Sequence, residues 1–532
     1  MVPAVTVAGE KFSVRSHLQS CRKVPPSRSL RPSSSMTGAV VGCVAGAVAG
    51  ARQQKSSTPR KTEPAAKQKQ TEAQMPPAPG VRTTQAYLVA LGRLLTYLSR
   101  AQLGVLLPIL TQELGLTSGQ QGYLMSRFST GYLATQIAGG ILADKVGGYP
   151  VMLVASLCTV VCNALAPLAA GYSHEAFGLV FTVMGLVQGM VFPAGTVVCA
   201  QWLLPTERSW ATSIMALGSA VGAVIVNACA PPLAAKFGWQ SVFYVNAAIC
   251  GLFSIAWALL AASSPHKCSR TTEEEISLLK SAGVLKEQEE DKKEAKALLP
   301  PPSFFLHPCV GVLFFAHFAQ NWQQYFMEWL PLFYTSRLGI LPQAAGLHVA
   351  AITLVEVPAR ALTKSLPEMM LRNGYSLLNC RKLMSVQGFA AHTFFNCLIC
   401  ALLNFVPMAS LGSSAAFEAT CAFTTIFALS KASQAVHAGG YFANYLDLTR
   451  NYSGALSGVG NTVATLAGVI FPRLASWTLE ATGGHWMPLV GSLLSVNCMA
   501  MVAISTGMSV DSLDDRAVAK KMCIKTPKRS AD

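Results

Sequence analysis

The sequence predicts an all-α membrane protein with twelve transmembrane helices in two bundles of six. Three observations predict this. Hydrophobic residues make up 52% of the 532 residues and charged residues only 12%, against about 25% charged in an average soluble domain. The mean hydropathy is +0.40. From about residue 86 onward, long apolar segments alternate with short polar ones, and one charged stretch divides them into equal sets.

The apolar segments lie near 87–110, 119–143, 149–170, 176–203, 210–234, 240–262, 306–335, 343–370, 383–406, 415–440, 453–477 and 486–507. Each is long enough to cross about 30 Å of hydrocarbon as a helix. A helix satisfies its own backbone there, which an irregular segment does not. The eighth and tenth are the least apolar. Between the sixth and seventh, residues 263–303 read "SSPHKCSRTTEEEISLLKSAGVLKEQEEDKKEAKALLPPPS". The middle has the Glu/Lys content of a surface helix, and the prolines stop it before the seventh span. The expected organisation is a leader over 1–85, a bundle over 86–262, a central loop over 263–303, a second bundle over 304–508 and a basic tail over 509–532.

The formal net charge of +16 falls mainly in the tails and between apolar segments. That pattern suits a membrane protein with a positive inner face, so the expected partner is the lipid bilayer and not nucleic acid. Lys145, Arg208, Arg372, Arg381, Lys382 and Arg450 share the loops of one face with the central loop and both termini, whereas the opposite loops hold little beyond Lys236 and Arg337. The leader has a single acid, Glu10, among its first 61 residues, and its apolar run at 38–50 is too short to span. Acid-poor, Arg- and Ser-rich leaders resemble organelle transit peptides, those of plastids above all; the alternative is an ordinary cytosolic tail. The expected location is a plastid envelope or thylakoid membrane, with plasma and vesicular membranes as alternatives.

The fifteen cysteines have no regular spacing. Cys397 and Cys400 form a CxxC without a second pair or a His cluster, so they read as small packing residues. The glycine pairs Gly185–Gly189, Gly218–Gly222 and Gly454–Gly458 have the spacing that lets membrane helices approach closely. No G-x-x-x-x-G-K-[ST] loop, catalytic constellation or metal-ligand set stands out, so neither an enzyme nor an ATP-driven pump is expected, and no cofactor.

Arg100 in "TYLSRAQLGVLLPIL" (96–110) stands near the middle of the first span, where a charge costs about 2.5–3.5 kcal/mol on insertion scales. At the end of the second span, "GGILADKVGGYP" (139–150) places Gly140, Asp144, Lys145 and Gly147 as G-x-x-x-D-[RK]-x-G. A tight loop of that kind presents a carboxylate and a cation to the helix ends of the facing bundle. This is the loop signature of major facilitator transporters, which the chain resembles. "LPTERSWATSIMALGSAVGAVI" (204–225), "FGWQSVFYVNAA" (237–248) and "ANYLDLTRNYSGALSGVGNTVATLAGVI" (443–470) resemble the organic-anion and phosphate branch of that superfamily. The branch includes sodium–phosphate cotransporters, vesicular glutamate transporters and sialin. "HFAQNWQQYFMEWLPLFY" (317–334) is most similar to the plant plastid anion transporters.

The resemblance implies a major facilitator fold, a central anion site and alternating access. It implies that Arg100 faces the cavity and holds the anion through its planar, permanently charged fork. The alternative is a structural arginine paired with a helix end or a carboxylate. Gln188, Gln320, Trp322 and Asn461 complete the expected substrate site, and Asn444 and Asp447 join the gating residues. Four family ionisable positions are neutral here: Ser99, Gln188 and Gln320, and Phe181 in place of the fourth-span arginine. Arg127 is expected to supply the missing second positive charge. Glu328, Glu356, Lys431 and His437 lie inside spans, where an ionisable group is a functional candidate. The two glutamates are coupling groups or salt-bridge partners of Arg100, Arg127 or Lys431. The expected function is a monomeric secondary transporter for a small anion, inorganic phosphate first and an organic carboxylate such as ascorbate or glutamate second, with sodium or a proton as co-transported ion. The competing expectation is a non-transporting receptor or scaffold on the same fold.

Overall fold

The computed structural model describes residues 80–204, 206–285, 300–360, 362–405, 413–449 and 452–514. The leader before residue 80, the charged run 286–299 and the tail from residue 515 lie outside the described residues, as does Arg450.

Among the described residues the regular structure is helical. The first six passes are α1 (Val81–Leu114), α2 (Ser118–Val146), α3 (Gly148–Tyr172), α4 (His174–Gln188) with α5 (Val191–Trp202), α6 (Arg208–Phe237) and α7 (Gln240–Leu260). The short helices α8 (Glu273–Ser281) and α9 (Pro302–Phe305) follow. The second six passes are α10 (Pro308–Met327) with α11 (Leu330–Leu338), α12 (Pro342–Leu354) with α13 (Glu356–Ala359) and α14 (Leu362–Arg372), α15 (Leu377–Phe405), α16 (Ser413–Leu448), α17 (Ser453–Ala481) and α18 (Met487–Gly507). Eight helices among the described residues are long and apolar enough to cross a membrane, counting α4 and α5 as one. The seventh and eighth passes are broken into shorter pieces, and α2 and α16 are not among the helices apolar enough to be counted. Large apolar side chains such as Leu168, Leu252, Leu259 and Trp477 point outward, as a lipid-facing surface requires.

Sequence signals set the ends of the first two helices. Gly115 closes α1 with φ 60°, a left-handed conformation that glycine adopts without a Cβ penalty. Thr117 and Gln120 then form a reciprocal capping box that starts α2.

Within the first half, α1 packs on α6, α2 on α4 and α3 on α7; within the second, α15 packs on α16 and α18, and α10 on α17. The halves meet through α2 with α17, α6 with α12 and α1 with α11. The predicted glycine pair Gly218–Gly222 works as its spacing implies. A Cβ at either position would run into the backbone carbonyls of Ala90 and Leu94, so α6 lies directly on α1. The Gly454–Gly458 pair differs: nothing approaches within 4 Å of where their Cβ atoms would be. These glycines sit on α17 at the central-loop end. The α2–α17 contacts run from Gly122 against Ser476 to Gln136 against Asn461. The halves therefore touch away from the central loop and part toward it.

Candidate functional site

A cavity of about 380 Å³ lies between the halves, at the small end of the range for small-molecule sites. Arg100 lines it from α1. Its guanidinium lies 5.6 Å from the ring centre of Tyr97, 5.5 Å from Phe128 and 5.3 Å from Tyr325. Its Nη2 stands 3.2 Å from Oε1 of Glu328. Three rings and a carboxylate offset the cost of placing the charge there.

Farther along the cavity, Lys431 of α16 stands 3.2 Å from Glu356 and donates to Gln324 at 2.5 Å. Arg360, one turn beyond Glu356, pairs with the same carboxylate. Three cations thus face two carboxylates, leaving one surplus positive charge. Carboxamides of Gln320, Asn321, Gln324, Gln434, Asn227 and Asn461 supply further polar lining. Such a wall offers donors and acceptors without more net charge.

The predicted site residues separate into two groups. Arg100, Gln320, Asn461, Glu328, Glu356 and Lys431 line the cavity. Gln320 hydrogen-bonds to His437, which packs edge-on to Phe389 at 4.8 Å. Asn461 donates to Gln136, and Gln136 donates to Thr465 at 2.7 Å, which ties α17 to α2.

The others lie elsewhere. Arg127 points from α2 toward α4, where it donates to Thr182 at 3.0 Å and stacks 5.1 Å over Tyr123. It does not line the cavity, so the second cation there is Lys431. The reason is helical phase: residues 100° apart per step face different neighbours, and position 127 falls on the α4 side. Gln188 is buried between passes of the first half, 3.4 Å from Thr159. Ser99 accepts from Asn163 in the same interior. Trp322 is also turned inward; it donates to Ser492 and meets Phe471 edge-on. These three lie inside the bundles and do not line the cavity.

Among the loop residues, Asp144 and Lys145 are exposed and make no ion pair among the described residues. Gly147 has φ 90°, which serves the tight turn between α2 and α3. Gly140 meets only Pro193 at contact distance. Asp447 binds Arg381 at 2.7 and 3.3 Å, and Asn444 donates to the backbone of Ser509. Cys397 and Cys400 are free thiols.

Arg360, Gln324, Asn321 and the rings Tyr97, Phe128 and Tyr325 escaped the sequence reading. Their signals were present. "QNWQQ" (320–324) sets amides three and four apart on one face of α10, and Arg360 follows Glu356 by four.

Residues 89–472 match the sequence model of the Major Facilitator Superfamily. The chain is 27% identical over 394 residues to the chloroplastic ascorbate transporter of Arabidopsis thaliana, covering 74% of this chain and 68% of that one. It is 28% identical over 399 residues to the human voltage-gated purine nucleotide uniporter SLC17A9, covering 74% and 84%. It is 28% identical over 395 residues to the chloroplastic sodium-dependent phosphate transport protein 1 of Arabidopsis thaliana, covering 74% and 72%. Among solved structures, a D-xylose–proton symporter superposes with a TM-score of 0.60 at 13% identity, covering 80% of this chain and 97% of that one. A bacterial homologue of the human lysosomal transporter Spinster, inward-facing and unoccupied, gives 0.58 at 14% identity, covering 83% and 96%.

Proposed function

Because this chain belongs to the Major Facilitator Superfamily, we propose that it is a secondary transporter that carries a small anion by alternating access, with Arg100 holding the anion. One observation carries the reading: the cavity between the halves has three cations against two carboxylates, and Arg100 stands in it beneath aromatic rings. A guanidinium binds carboxylate or phosphate oxygens through two parallel N–H bonds. The surplus charge favours an anion over a neutral or cationic solute. Gln320 and Asn461 orient the bound anion from the opposite half.

Inorganic phosphate is the first substrate and an organic carboxylate of about the size of ascorbate the second. The relatives that transport phosphate and ascorbate support this class, and a cavity of about 380 Å³ accommodates either. Glu328 and Glu356 are the candidates for carrying a coupling proton, and sodium is the other coupling ion. The exposed loop with Gly140, Asp144, Lys145 and Gly147 acts as a gate that closes on the second half. The chain works as a monomer, and its proposed location is a plastid membrane, which the acid-poor leader and the chloroplastic relatives support.

The experiment is uptake of labelled phosphate and labelled ascorbate into proteoliposomes under imposed proton, sodium and voltage gradients. Uptake by the full chain and its loss in Arg100→Ala support the reading. Absence of uptake of any anion under every gradient favours a receptor on the same fold. A reporter fused to residues 1–85 should enter plastids, and a purely cytosolic signal would refute that location.

A further inference from the structure

Glu328 holds two contacts between the halves at one point of the chain. It caps the C-terminal end of α10, immediately before the seventh pass breaks and resumes as α11. Its carboxylate lies 3.2 Å from Arg100 of α1. Its backbone carbonyl lies against Gly104, one turn farther along α1, so closely that a Cβ at 104 would stand 2.8 Å from it. The side-chain lock and the backbone contact between α1 and the broken pass therefore belong to the same residue.

A carboxylate on a guanidinium is chemically what an incoming carboxylate or phosphate would be. Lys431 lines the same cavity as this carboxylate and is bound to Glu356 and Gln324. Tyr97, Phe128 and Tyr325 surround the arginine and offer rings rather than further acids. Arg100, Lys431 and Arg360 are three cations for Glu328, Glu356 and one visiting anion, so a cavity loaded with a monoanion is charge-balanced.

We propose that Glu328 is a resident counter-anion: its carboxylate occupies the seat on Arg100 that the transported anion takes. The arriving anion displaces it toward Lys431, and that displacement frees the hinge of the seventh pass from α1. Loading and rearrangement are thus one event, because the residue displaced is the residue at the hinge. The inference rests on the reading of Arg100 as the anion-holding group. It differs from a plain inter-half salt bridge, which would stabilise one conformation without competing with the anion.

The full chain in proteoliposomes provides the test, with labelled phosphate and labelled ascorbate as probes. Glu328→Gln keeps the shape and removes the competitor, so the half-saturation concentration should fall about tenfold, equivalent to about 1.4 kcal/mol. The maximal rate should fall with it, since the lock no longer reports loading. Lys431→Met removes the landing place and should move half-saturation upward. In the Glu328→Gln background the same change should have little further effect, a non-additivity expected only if the two side chains act through each other. Glu328→Asp, which keeps the charge but shortens its reach to Arg100, should lower half-saturation less than Glu328→Gln does. An unchanged or higher half-saturation for Glu328→Gln in protein that elutes as a single species overturns the inference, as does additivity of the two changes. If Arg100→Ala keeps its uptake and half-saturation, the underlying site reading fails instead.

Discussion

Substituting Gly104 by alanine tests whether the α1–α11 contact sets the conformational balance. The added Cβ would lie 2.8 Å from the Glu328 carbonyl and 3.4 Å from the methyl of Met125. Ordinary contact begins near 3.4 Å, so the carbonyl must retreat by about 0.6 Å. The methionine end is flexible and yields, whereas the carbonyl belongs to the backbone of a broken helix and does so only by moving α11. Overpacking of this kind costs about 1–3 kcal/mol. Alanine also gains about 1 kcal/mol over glycine in helix propensity, but that gain applies whether the halves touch or part. Net folding stability should therefore change little, while the touching state loses about 1–3 kcal/mol, roughly 5- to 150-fold in population. Spin labels at the exposed positions Gln112 and Leu341, in a chain with its native cysteines replaced, report the separation at the end away from the central loop. The parent should give one short distance, and Gly104→Ala should add a longer component. An unchanged distribution would refute the argument that this contact sets the balance.

Other outcomes follow from the same geometry. Arg100→Lys keeps the charge but loses the planar fork and its place among three rings, so uptake should fall about 10- to 100-fold without the complete loss expected for alanine. Glu275 of α8 accepts from the backbone of Val81 and Arg82 and from the Arg82 side chain. Glu275→Gln should weaken that clamp by about 1–2 kcal/mol and speed hydrogen exchange across 273–281. Gly222→Leu should abolish recovery of monodisperse protein, because Leu94 backbone lies where the side chain would go. Gly251→Leu, with nothing within 4 Å, should be tolerated. Asp447→Asn should cost about 2 kcal/mol in thermal stability by loosening the two-bond grip on Arg381.

The sequence by itself determined the passes and their order, since each apolar run of about 20 residues has one way to satisfy its backbone in hydrocarbon. It also marked the residues whose charge is costly in such a run: Arg100, Glu328, Glu356 and Lys431 were all legible, and all line the cavity. Gly218–Gly222 was legible as a close approach for the same local reason. Only the tertiary structure decided which way each side chain faces. Arg127, Gln188 and Trp322 are as polar or aromatic in the sequence as the cavity residues, yet helical phase and neighbouring passes turn them into the bundles. That the two glutamates pair with Arg100, Arg127 or Lys431 was one of the two sequence expectations, but which carboxylate meets which cation was not legible. Arg100 and Glu328 are 228 residues apart, and their contact depends on two halves meeting along α1 and α11. Charge in an apolar span is a property of the local chain, but the partner that makes it affordable comes from packing across the whole molecule.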